Sequence, residues 1–130
     1  MYHVTARGVA RTAIALDDED RRRFLVLLAR ETRRQQWRTY AFCLMPNHYH
    51  VVLEATREQL SRGLHRLNGE LALSFNERHG RWGHLFGDRF AAWMIRDEDH
   101  LREAVAYVLH NPVRAGLCEL ASDWRWSGPH

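Results

Sequence analysis

The chain has no lysine: its 19 basic side chains are all arginine, set against 16 acidic residues for a net charge of +3. A P-loop is absent as well, so nothing in the sequence points to a nucleotide as an energy source. Cysteine occurs twice, at Cys43 and Cys118, too far apart for a zinc motif and too few for a disulfide framework. These cysteines are read as the reduced thiols of a cytoplasmic protein. No apolar run approaches the roughly 18 residues of a membrane span, and the opening "MYHVTARG" has no signal-peptide pattern. Internal repeats and low-complexity tracts are also missing. What remains, at 130 residues, is the expectation of one domain over residues 1–130. Arginine's planar fork suits phosphate oxygens and stacks on aromatic rings, which tilts the partner toward nucleic acid. Codon usage in a GC-rich genome produces the same excess.

Periodicity sets out the elements. "YHVTARGV" alternates as a first strand. "LDDEDRRRFLVLLARETRRQQW" predicts a helix capped by Asp17, with Phe24, Leu27 and Leu28 on its apolar stripe. "RTYAFCLM" and "HYHVVLEA" predict a hairpin turning near Met45 to Asn47. A second helix carries Leu60, Leu64, Leu67, Leu71 and Phe75 on one face and stops at Gly80. "RFAAWMIR" predicts a fourth strand, and "DEDHLREAVAYVLH" a third helix that ends or kinks at Asn111-Pro112. The first six elements follow the split β-α-β pattern of a ferredoxin-like fold, α+β with two helices on one face of an antiparallel sheet. The third helix is then left to cover the opposite face.

That opposite face carries chemistry. In the second hairpin strand Tyr49, Val51 and Leu53 share the core side, while His48 and His50 share the other. A His-x-His pair is half of a divalent-metal site; the plain alternative is two hydrogen-bonded surface histidines. Tyr107 and Asn111 lie one turn apart beside the stripe of the third helix. An asparagine oxygen can complete a metal site, and a nearby phenol can attack what the metal holds. The alternative is a rim tyrosine and an asparagine closing the helix before Pro112. A free phenol is only about 0.1% ionised at pH 7, so a tyrosine nucleophile needs a phosphate polarised by a cation. A covalent phosphotyrosine would conserve the bond for rejoining. In residues 76–90, Arg78, Arg81 and Arg89 interleave with Trp82, Phe86 and Phe90, either as a single-strand platform or as a basic loop leading into core aromatics. The tail motif "WRWSG" reads as packing.

"YHVTARG", "DDEDRRRFL", "AFCLMPNHYHVVLE", "LSRGLHRLN", "FNERHGRWGHLFGDRF", "YVLHNPVRAGL" and "WRWS", in this order, resemble the single-tyrosine HUH transposases of bacterial insertion sequences, and among them the REP-associated tyrosine transposases. The resemblance spans nearly the whole chain. It implies a ferredoxin-like core and metal-dependent cutting and rejoining of single-stranded DNA at or near hairpins, through a 5′-phosphotyrosine and a free 3′-hydroxyl. Carried over by position, it implies Tyr107 as nucleophile and His48, His50 and Asn111 as ligands of Mg²⁺ or Mn²⁺. The implied DNA contacts are Arg78, Arg81, Trp82, His84, Phe86, Arg89 and Arg114. Gly87 and Asp88 depart from the related segment "GHLFQGRF", and His100 stands where relatives carry another aromatic. The expected partner is single-stranded or hairpin DNA, with no membrane, in a cytoplasmic, nucleoid-associated monomer or homodimer. A domesticated hairpin binder without chemistry is the alternative.

Overall fold

A computed structural model describes residues 1–87 and 89–129, so Asp88 and the terminal His130 lie outside the described residues. In chain order the elements are β1 (Tyr2–Arg7), α1 (Asp18–Arg34), β2 (Arg38–Met45), β3 (His48–Glu54), α2 (Arg57–His79), β4 (Ala91–Met94), α3 (Glu98–Arg114) and β5 (Ser127–Gly128). The sheet is antiparallel in the order β4-β1-β3-β2-β5. Its first four strands and first two helices make the expected ferredoxin-like arrangement.

Local chemistry explains the helix boundaries. The Asp17 side chain accepts from the Asp20 amide at the start of α1, where three acidic residues face the positive end of the dipole. At α2, Thr56 and Gln59 form a reciprocal capping box, and Gly80 closes the helix at φ 62°. Every apolar residue expected on the α2 stripe is buried: Leu60, Leu64, Leu67, Leu71 and Phe75. They pack with Phe24, Leu27 and Leu28 of α1 over Val4, Ala6, Tyr49, Val51 and Leu53 of the sheet. Gly63 lets this layer close, because a Cβ there would stand 2.2 Å from the buried Trp37 ring.

The second layer lies on the other face. Ala104 and Val108 of α3 pack on Ala41, Cys43, Met45 and Val52. Burial pushes the Cys43 thiol up to about 12, so it stays protonated. Two features differ from expectation. Of the two outcomes expected at Asn111-Pro112, an end or a kink, the end is excluded, because helix α3 continues to Arg114. A proline this near the helix end removes one amide, the partner of the Val108 carbonyl, and its buried ring adds packing. In addition, Ser127 and Gly128 pair with Cys43 and Phe42, making a fifth strand beside β2. Trp124 anchors that segment by donating from Nε1 to the Leu44 carbonyl at 2.9 Å, so the packing role read for "WRWSG" holds.

Candidate active site

His48 and His50 are placed by the hairpin. Pro46 and Asn47 make its turn, β3 starts at His48, and strand alternation turns both imidazoles to the α3 side. Their ring centroids are 5.0 Å apart. Each ring is held through one nitrogen. His48 Nδ1 lies 2.7 Å from Asn47 Oδ1, which can only accept, so Nδ1 carries the proton and Nε2 keeps a lone pair. His50 Nδ1 lies 2.9 Å from His3 Nε2 and 3.1 Å from the Thr5 hydroxyl. A proton on that Nδ1 likewise leaves Nε2 as the acceptor. Anchoring one nitrogen to free the other is the arrangement metal-ligating histidines use, so this pair fits a divalent cation.

Electrostatics reinforce the fit. Burial, then the neighbouring His48 and His3 imidazoles and Arg7, holds His50 down at about 3. Burial and Arg7 lower His48 to about 4. Both rings are therefore neutral across the physiological range, the form that binds metals. His3 is also lowered, by burial and then His100.

Helix α3 brings its tyrosine to the same place. The Tyr107 ring stands 6.1 Å from His50 and 5.9 Å from His3, centroid to centroid. It is 51% exposed, while Ala104 and Val108 bury the packing side of the same helix. The Arg114 guanidinium lies over the Tyr107 ring at 4.1 Å and donates to the Tyr107 carbonyl at 2.6 Å. Asn111 is half-buried one turn beyond Tyr107.

The expected DNA-contact residues divide. Arg81, Trp82, His84 and Arg89 are exposed, Trp82 at 92%. Phe86 and Phe90 are half-buried against the main core, with Phe86 edge-on to Tyr49 at 6.1 Å, so these two rings serve packing. Arg78 is committed elsewhere: it is ion-paired with Asp17 and with the buried Asp20. Asp17, Asp20 and His79 place three ligand-type atoms within 4.8 Å of one another. Arg78 already supplies that cluster with its cation, so the group staples the start of α1 to the end of α2. His3 and Thr5, by contrast, went unnoticed as contributors to the histidine face. The signal was available, since both alternate with Val4 and Ala6 in "YHVTAR" and share the face opposite the core.

The IS200-like transposase family matches residues 1–111. A Haemophilus influenzae protein described as a REP-associated tyrosine transposase is 25% identical over 103 residues, 71% of this chain. The aligned part spans 58% of that relative's length. Among solved structures, a REP-associated tyrosine transposase bound to a REP hairpin superposes with a TM-score of 0.79 at 20% identity, over 97% of this chain and 74% of the other. A Deinococcus radiodurans protein described as a transposase superposes with a TM-score of 0.58 at 17% identity, over 85% of this chain and 88% of the other. Those two likenesses bear on the fold; the match over residues 1–111 decides kinship, and the chain belongs to the IS200-like transposase family.

Proposed function

We propose that this protein is a metal-dependent single-stranded DNA strand transferase acting at or near hairpins, with Tyr107 as nucleophile. One observation carries the reading: the His48 and His50 imidazoles from β3 and the Tyr107 ring from α3 converge on one face of the sheet within a single chain. Convergence within one chain supports a site complete in a monomer. The hairpin held by the solved REP-associated relative supports hairpin DNA as the substrate class.

In this mechanism His48 and His50, through their Nε2 atoms, and Asn111, through its side-chain oxygen, would hold Mg²⁺ or Mn²⁺. When bound there, the cation would supply Lewis-acid polarisation of the scissile phosphate and charge stabilisation for the leaving oxygen. Tyr107 Oη attacks phosphorus and loses its proton to solvent, the bond to the 3′-oxygen breaks, and that oxygen takes a proton from water to leave as a free 3′-hydroxyl. A 5′-phosphotyrosine remains. Attack by a 3′-hydroxyl on that ester reverses the step and rejoins strands, with no nucleotide consumed. His3 and Thr5 hold the His50 ring, and Asn47 holds the His48 ring. Arg114 lies against the Tyr107 ring, where its charge favours an approaching phosphate.

The test uses hairpin oligonucleotides with single-stranded flanks, selected for binding from a random pool. With Mn²⁺ the protein should become covalently linked to DNA on a denaturing gel, and EDTA should prevent it. Tyr107→Phe should abolish the adduct. An adduct that survives Tyr107→Phe removes Tyr107 from the role. Tight hairpin binding with no adduct under either metal would leave an inactive hairpin binder instead.

A further inference from the structure

Next to the histidine face lies a separate pocket of about 370 Å³, within the usual range for small-ligand sites. Thr5, Arg7, Arg11, Arg89 and Trp93 line it. Thr5 is shared with the site already described, since its hydroxyl contacts His50. Trp93 is linked to the same site through His3, whose ring it meets at 5.6 Å. The pocket therefore begins where the histidine pair ends.

Its chemistry is uncommon for this surface. Most arginines elsewhere on the helices face carboxylates, among them Arg21, Arg30, Arg62 and Arg78. Among the described residues, Arg7, Arg11 and Arg89 have no carboxylate partner. Three arginines without a carboxylate partner among the described residues, gathered around one small pocket, are the side chains that suit phosphate oxygens. Trp93, 55% exposed at the pocket wall, is a ring of the kind on which bases stack.

The wall is built under strain. Ala10 and Arg11 have φ values of 49° and 61°, a region that side-chain-bearing residues resist. Gly8 before them has no room for a side chain, because a Cβ would stand 2.1 Å from the Thr12 carbonyl oxygen. The turn is held in this shape by backbone bonds from Val9 to Leu85 at 2.8 Å and from Gly87 to Arg7 at 3.2 Å. Strain maintained by surrounding structure concentrates where a ligand is held.

We propose that this pocket takes one unpaired nucleotide of the DNA strand beside the bond Tyr107 attacks, its base on Trp93 and its phosphates on Arg7, Arg11 and Arg89. The proposal rests on the strand-transferase reading above and adds to it a subsite that selects an extrahelical nucleotide.

The experiment uses Tyr107→Phe protein and a pool-selected hairpin in which each flanking nucleotide is replaced in turn by an abasic site, with affinity read by fluorescence anisotropy. One abasic position should weaken binding about tenfold, the scale of one base stacked on an aromatic ring. In the Trp93→Ala background that dip should vanish, and Trp93→Phe should restore it. Arg11→Ala should lower the slope of log affinity against log salt by about 0.7, the value for one phosphate contact on a single strand. Since Trp93 touches His3, Arg11→Ala also guards against a folding defect in the tryptophan variant. A flat abasic profile, a dip that persists in Trp93→Ala, or an unchanged salt slope in folded Arg11→Ala overturns the pocket. If wild-type protein forms no covalent adduct but the Trp93-dependent dip is present, the cleavage reading falls and the nucleotide pocket stands. A pool that yields no binder overturns both.

Discussion

Lowering the pH from 7.5 to 5.5 separates this histidine pair from an ordinary one. Two imidazoles with the usual pKa of about 6.5 would both be neutral in only about 1% of molecules at pH 5.5, costing a metal site about 100-fold in apparent affinity. Here burial holds His48 near about 4 and His50 near about 3. About 97% of molecules then keep both rings neutral at pH 5.5, and the affinity loss is under about twofold. The assay is Mn²⁺ binding to Tyr107→Phe protein, followed by electron paramagnetic resonance of the free ion at both pH values. Circular dichroism at pH 5.5 confirms that the fold persists, and imidazole NMR titration of the metal-free protein reads the two rings directly. A fall of about 100-fold in Mn²⁺ affinity, with both rings titrating near 6.5, would refute the claim that the pair is desolvated.

Five further outcomes are expected. Because His48, His50 and His3 are all lowered from 6.5, the unfolded chain binds more protons below that pH; urea stability should be fullest above about pH 6.5 and decline as the pH falls toward about 4. His3→Ala removes one of the two partners of His50 Nδ1, leaving Thr5, and should weaken Mn²⁺ binding by about 10-fold, as loss of a hydrogen bond behind a ligand does, without unfolding the protein. Gly63→Ala gains about 1 kcal/mol of helix propensity but drives a methyl group into the Trp37 ring; the clash should win by about 2 kcal/mol and lower Tm by about 6–8 °C. Gly69→Ala, in the same helix with nothing within 4 Å, should raise Tm instead. Asp20→Ala leaves Arg78 with Asp17 alone and takes from His79 and the Leu16 amide their carboxylate partner, so the midpoint of urea unfolding should fall.

The legible parts of this molecule were those written in local period. Alternation along "HYHVVLE" put Tyr49 in the core and His48 with His50 opposite, because a strand has only two faces. The α2 stripe was equally plain from its three- and four-residue steps. His3 was not singled out because its role depends on which strand lies beside β3, and its contact with His50 spans 47 positions. Arg78 looked available for phosphate because its carboxylates come from the far end of α1, brought near only when the helices cross. Pro112 looked like a stop because the rule against proline describes helix interiors, and this one sits in the final turn. The two residues of β5 are too few to alternate, so pairing with β2 alone reveals them.

The bonds that hold His48 and His50 come from the sheet and its turn rather than from a mobile loop. The rotational freedom of both rings is thus surrendered as the chain folds, before any cation or strand arrives. What remains to be ordered at encounter is chiefly the flexible DNA. A stiffer substrate should therefore raise affinity more than any further tightening of the protein.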